Sequence, residues 1–303
     1  MKKLLGALVL LLLITGCGEK VDDEVLEAIS RSLEKRWEYT EDLSGNENIT
    51  VEILENATQI ELDELEEYHV DDFKDTVLYS RYTSYKSRLD RMKISLKNAD
   101  IDSTTFHEEW ANHMDERAKI LYDINSKHQL NISEENKEIF QEVLDSASHL
   151  VKADEIRKSL SDNGKLSDID VEIEENSISI SFPTESVLSV NSFVSHKTGF
   201  PDKAMEILHE IKELDYDDIV ITTNNQDAVA ISSYFTKKSL ENIDFKEWED
   251  LDSVDAYKFY NMADAYHIRI GIWDELDTET QQLIGNMNKD NSDPFWKEHG
   301  YTH

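Results

Sequence analysis

Asp168-Ile169-Asp170-Val171-Glu172-Ile173-Glu174-Glu175-Asn176-Ser177-Ile178-Ser179-Ile180-Ser181-Phe182 decides the fold class. Apolar side chains fall on every second residue on both sides of Glu175-Asn176, the period of a β-strand, so the stretch reads as a hairpin with one apolar face. Acids fill the alternate positions of the first strand and serines those of the second, which predicts a wet opposite face. From Asp22 to about Leu160 apolar residues repeat at three and four instead. The chain therefore reads as α+β: an N-terminal antiparallel helical bundle followed by a small four-stranded, mainly antiparallel sheet domain with covering helices.

Working toward the C-terminus, Pro201 opens a helix bearing Ala204, Leu208 and Ile211. A second hairpin follows, with Ile219, Val220 and Ile221 before the turn Asn224-Asn225 and Val229 and Ile231 after it. From Asp252 the spacing of Phe259, Ala263, Tyr266, Ile270 and Trp273 predicts a helix lying over the sheet or reaching back to the bundle. Residues 286–303 lack periodicity, with Phe295 and Trp296 placed to pin the tail.

Working toward the N-terminus, five amphipathic helices are expected. The first carries Leu26, Ile29, Leu33 and Trp37 and stops at Leu43-Ser44-Gly45-Asn46; the second carries Val51, Leu54, Leu62 and Leu65. Leu78, Tyr82, Tyr85, Leu89, Met92 and Leu96 form an unbroken seam of alternating fours and threes, the mark of a long helix packed along a partner. Thr105 with Glu108 reads as a capping box opening a fourth helix, whose stripe is Phe106, Trp110, His113, Arg117, Ile120 and Ile124. Ser133 opens the fifth, with Ile139, Phe140, Val143, Ala147, Leu150 and Val151, and Asp162-Asn163-Gly164 stops it. The expected domains are residues 1–17 as a leader, 21–162 as the bundle and 165–303 as the α+β domain.

Composition narrows function further. The 303 residues hold 65 acids against 31 Lys and Arg, a formal net charge of −34, and loss of Lys2 and Lys3 with a leader would make the remainder more negative still. A phosphate backbone is bound through clustered cations, so nucleic acid is excluded as a partner. Three prolines and nine glycines argue against disorder and against repeated glycine-rich phosphate loops. No stretch matches a P-loop, a dinucleotide-binding glycine motif, a nucleophile elbow or a zincin helix. No catalytic residue and no cofactor is expected, and binding is favoured over enzyme activity.

Lys2 and Lys3 precede an apolar run from Leu4 to Ile14, followed by Thr15-Gly16-Cys17. That run falls short of the ~20 residues a helix needs to span a bilayer and has the layout of a secretory signal. Ile14-Thr15-Gly16-Cys17 resembles the lipobox of bacterial lipoproteins, which implies a diacylglyceryl group on Cys17, cleavage before it, and residence on the extracytoplasmic face of the cell membrane. Cys17 is the single cysteine, so its lipidation would leave no thiol for disulfide, metal or nucleophilic chemistry. Gly18 to Asp22, if extended, reach less than ~20 Å, which would hold the first helix close to the membrane.

Candidate polar sites are sparse. His107 and His113 are six residues apart, a rotation of about 240° on a helix, and so face differently. His113 and Glu109 stand one turn apart, but two ligands fall short of the three that zinc takes from protein; no metal site is expected, and a polar pair at a helix crossing is. Arg117, one turn after His113, needs a carboxylate if buried, and Glu61, Asp63 and Glu64 are the candidates; an anion pocket around His113 and Arg117 is the functional alternative. Asp71, Asp72 and Asp75, like Asp215, Asp217 and Asp218, lack calcium-loop spacing and read as turns or helix starts. Tyr257 and Tyr260 fall off the stripe of the C-terminal helix and are candidates for an exposed contact surface. His299 and His303 could hold a metal adventitiously.

Ile60-Glu61-Leu62-Asp63-Glu64-Leu65, Asp72-Phe73-Lys74-Asp75, and Phe106, Trp110, Arg117 and Leu121 together resemble the helical domain of uncharacterised lipoproteins from Gram-positive bacteria. The strand-strand-helix-strand-strand half similarly resembles domains of unknown function attached to other lipoproteins. These resemblances imply location and architecture, with no activity to transfer. The expected function is that of a membrane-anchored extracytoplasmic lipoprotein binding an envelope protein or a cell-wall component. A receptor for a small ligand, a cation or a basic peptide is the alternative, and an envelope hydrolase working through carboxylates comes third.

Overall fold

The structure, a computed structural model, describes residues 17–43, 49–97, 99–162, 166, 168–184, 189–225 and 228–289. The expected leader before Cys17, the side chain of Cys17, the turn expected at residues 44–46, the stop expected at 163–164 and the tail bearing Phe295, Trp296, His299 and His303 lie outside the described residues. The fold is α+β, with N-terminal helices followed by a five-stranded mixed sheet and its helices. Packing divides the chain into two units after Ser148, within the fifth helix and upstream of the change in sequence period.

The first unit holds α1 (Cys17–Leu43), α2 (Val51–Asp63), α3 (Thr76–Leu96), α4 (Thr104–His128) and the start of α5 (Lys137–Asp162). The backbone is already helical at Cys17, so Gly18 to Asp22 are the first turns of α1, rising ~1.5 Å per residue and spanning less than the extended limit. Oxygen side chains satisfy the first free amides: Thr50 accepts from Ile53 N at α2, and Asp75 from Val77 N and Leu78 N at α3. Ser103, not Thr105, caps α4 by accepting from Phe106 N, because the turn of Asp100 to Ser103 places that hydroxyl one residue before the helix. Ser133 leads into a short 3-10 turn (Glu134–Asn136) without capping it by its side chain, and α5 starts only at Lys137.

Cross-helix pairs fix antiparallel packing. Arg36 meets Glu61 while Tyr39 meets Asn56; Tyr82 meets the carbonyl of Glu66 while Tyr85 meets Glu61; Arg81 meets Asp123 while Arg88 meets Glu116. All six residues of the α3 seam, from Leu78 to Leu96, are buried, as the unbroken spacing predicts. The buried face of α2 differs in part from expectation: Leu65, just past the helix, is buried as expected, but Ala57, Thr58 and Glu61 face inward while Val51, Leu54 and Leu62 are half-buried. The partner cations of Glu61 account for that rotation.

The second unit holds the rest of α5, whose Ala153, Ile156 and Leu160 join the sheet's core. The sheet order is β1 (Asp170–Glu174), β2 (Ser177–Pro183), β3 (Asp218–Asn225), β4 (Ala228–Thr236) and β5 (Ala265–Ile268). β1 and β2 form the hairpin read from sequence, with Glu175 in the left-handed region (φ 50°) at its turn. β2 and β3 are parallel, joined by a crossover through α6 (Val190–Ser195) and α7 (Phe200–Ile211); the β3–β4 and β4–β5 pairs are antiparallel. The remaining short helices are α8 (Lys237–Glu241), α9 (Phe245–Asp250), α10 (Phe259–Met262), α11 (Ile270–Trp273) and α12 (Thr278–Ile284).

Two expectations are corrected here. The sheet has five strands rather than four, because the continuous helix expected through Phe259 and Trp273 is broken into α10, β5 and α11. Pairing with β4 and the carboxylate of Asp264 hold this segment out of the helix: Asp264 accepts from Thr236 N, the Thr236 hydroxyl and the Ser239 hydroxyl, tying the chain to the end of β4. The far face is also not wet at its centre. Val220, Tyr234 and Ala265 form a small apolar cluster there, and Ser232, in register between Thr222 and His267, is only 1% exposed.

Gly199 closes the link between α6 and α7. A Cβ at this position would stand 2.1 Å from the carbonyl oxygen of Phe193 and 2.5 Å from that of Ser192, both backbone atoms that α6 holds in place. Gly199→Ala should therefore destabilise the sheet unit by about 1–3 kcal/mol through overpacking. A urea transition unmoved by this change would contradict the crowding.

Candidate functional site

The polar residues of the bundle assemble in two places. Inside it, four helices each contribute one residue: Arg36 from α1, Glu61 from α2, Tyr85 from α3 and Arg117 from α4. Arg117 makes a two-pronged contact, Nε to Glu61 Oε2 at 3.0 Å and Nη2 to Oε1 at 2.6 Å. The Tyr85 hydroxyl donates to Oε2 at 2.7 Å, and Arg36 Nη1 lies 3.0 Å from Oε1, an ion pair outside hydrogen-bond alignment. Glu61 is 0% exposed.

Burial alone would raise the pKa of Glu61, but Arg117, Arg36 and the hydrogen bonds hold it below the usual carboxylate range. Burial pushes the Tyr85 phenol well up, so it stays a donor. Burial also lowers Arg36, while the close carboxylate keeps Arg117 raised against its own desolvation. Two guanidinium groups share one carboxylate, leaving one net positive charge in the core. Of the three acids offered by sequence, Glu61 is the partner of Arg117; Glu64 pairs with Arg31 and Lys35, and Asp63 accepts from Gln59. With its guanidinium committed to Glu61, Arg117 braces the bundle.

At the surface, α3 and α4 flank a pocket of about 580 Å³ lined by Thr83, Ser84, Ser87, Arg88, Arg91, Glu116 and Ile120. Arg88 is held from α4 by two contacts, Nη1 at 3.1 Å from His113 Nδ1 and Nη2 at 3.4 Å from Glu116 Oε2. Guanidinium only donates, so Nδ1 of His113 is the acceptor and the ring proton sits on Nε2. Burial, then Arg88, lower the His113 pKa against the pull of Glu109, and Arg91 adds to the lowering. His113 is half-buried between α3 and α4, and its hydrogen-bond partner is Arg88 rather than the Glu109 one turn before it. Arg88 and Arg91 were not singled out by sequence; the available signal was their one-turn spacing on the polar face of α3, beside hydroxyls at 83, 84 and 87.

In the sheet unit, Tyr260 is 1% exposed and donates to the Val194 carbonyl at 2.8 Å, so it is not the surface residue expected. The break after Met262 turns it into the aromatic core, where it meets Phe259 and Tyr266. Tyr257 is half-buried against the same core. A smaller pocket of about 290 Å³, bordered by Ser239, Glu247, Trp248, Lys258 and Met262, lies on this unit. The acid triplets serve the backbone and neighbouring side chains: Asp72 accepts from His69 N, Asp75 caps α3, Asp215 pairs with Lys237, and Asp218 accepts from the Tyr234 hydroxyl. Among the described residues, no three His, Cys, Asp or Glu side chains converge as a metal ion would require.

Compared with known proteins, the chain matches no family model, no curated protein and no solved structure.

Proposed function

We propose that this chain is a non-catalytic binding protein of the cell envelope, held on the extracytoplasmic face of the membrane by lipid on Cys17. The observation that carries the reading is the run Leu4 to Ile14 followed by Thr15-Gly16-Cys17. A single acyl chain binds a membrane only marginally, whereas a two-chain lipid gives a durable anchor. The acidic excess, −34 over the whole sequence and more negative without Lys2 and Lys3, gives an anionic bilayer no charge attraction for the chain and repels it across a Debye length of about 8–10 Å, so lipid and not charge would hold it there.

Labelling with radioactive palmitate tests this directly. The wild-type chain should take up label and sediment with membranes, and Cys17→Ser should lose essentially all label and remain at its unprocessed length. Label retained by the variant would overturn the anchor.

A further inference from the structure

We infer that the groove between α3 and α4 binds a phosphate group, received by the guanidinium groups of Arg88 and Arg91. The two arginines stand one helical turn apart on α3 and both line the pocket of about 580 Å³. Arg91 is exposed and makes no hydrogen bond or ion pair among the described residues, in a chain whose acids outnumber Lys and Arg by 65 to 31. Arg88 is already oriented: His113 holds one of its terminal nitrogens and Glu116 the other, and Glu116 is itself tied to Lys119 at 3.1 Å. A donor held in place before the ligand arrives loses less freedom on binding.

The arrangement favours phosphate over carboxylate. One guanidinium fork satisfies both oxygens of a carboxylate, whereas a tetrahedral phosphate has oxygens enough for two forks. Thr83 and Ser84 donate to carbonyls of the preceding turn, while the Ser87 hydroxyl makes no such bond among the described residues and remains available as a third donor. The pocket is far larger than a bare phosphate and falls within the range of small-molecule sites, and Ile120 adds an apolar wall. The ligand is accordingly a phosphate ester, either a soluble one or the headgroup of a phospholipid.

This inference deepens the binding reading by naming a ligand class, yet it stands on the groove and not on the anchor, so palmitate labelling and the experiment below can fail separately. The full chain in neutral detergent is titrated calorimetrically with glycerol 3-phosphate and, separately, with phosphatidylglycerol in mixed micelles. A saturable heat with glycerol 3-phosphate supports a soluble ester; one with phosphatidylglycerol alone supports a headgroup. In either arm Arg91→Gln should weaken binding about tenfold or more, the worth of a charge-assisted contact. Glu116→Gln, which frees Arg88, should tighten it, and acetate should not compete. Arg91 is exposed, so its variant should keep the far-ultraviolet circular dichroism of the parent. No saturable heat with either probe, or an affinity unmoved by Arg91→Gln, overturns the proposal.

Discussion

Glu61→Gln should destabilise the helical unit by about 3–5 kcal/mol, the usual cost of removing the counter-charge from a buried ion cluster. The carboxylate stands between two buried guanidinium groups, at 2.6 Å from Arg117 Nη2 and 3.0 Å from Arg36 Nη1. Neutralising it leaves two positive charges in the core where there had been one net charge. Arg36→Met has the opposite sign of electrostatic consequence, since it removes the surplus cation and leaves Arg117 and Glu61 as a neutral pair. It should cost less than about 1 kcal/mol. Hydrogen exchange of α1 and α2 reads both variants locally; equal losses of protection would disprove the charge accounting.

The same cluster sets an acid limit. The folded-state pKa of Glu61 lies below its ordinary value, so its contribution is present above the ordinary carboxylate range and is lost as pH falls through the depressed value. Glu61→Gln should therefore flatten the loss of stability in acid as well as lower stability at neutral pH.

Phe259→Ala should destabilise the sheet unit by a comparable amount, about 3–5 kcal/mol. The ring is fully buried and meets Phe200 at 5.6 Å, Phe235 at 5.5 Å, Trp248 at 6.5 Å and Tyr260 at 5.5 Å between centroids. Truncation removes the shared partner of four aromatic side chains contributed by α7, β4, α9 and α10 itself, and these cannot all collapse into the space. Urea unfolding followed by fluorescence reads the change, with Trp248→Phe in the same background identifying the part of the signal that comes from Trp248 among the five tryptophans. Phe259→Leu should recover much of the loss because it restores volume; a urea transition unmoved by Phe259→Ala would show that the ring is not a packing centre.

Legibility followed the range of the interaction concerned. The α3 seam from Leu78 to Leu96 and the hairpin around Glu175-Asn176 were readable because periodicity alone marks a buried face. β5 was not readable: its four residues are too few to show alternation, and Phe259, Ala263, Tyr266 and Ile270 happen to keep helical spacing. What holds this segment extended is β4 beside it and the carboxylate of Asp264, more than twenty residues from the Thr236 and Ser239 groups it accepts from. At the buried site, Arg117 was recognisable as an interface residue needing a carboxylate, and Glu61 was among its candidate partners. Arg36 and Tyr85, which complete the cluster from α1 and α3, carried no local mark.

By itself the sequence determined the change from a helical to a strand period, the α+β class and the large acidic excess, all properties of residue type and near-neighbour spacing. Only the tertiary structure decided which acid neutralises Arg117, that β2 and β3 run parallel, that Tyr260 turns inward, and that Arg88 and Arg91 share a groove with Glu116. Those outcomes depend on pairings between residues distant in the chain, where burial and charge are settled by the partner that arrives.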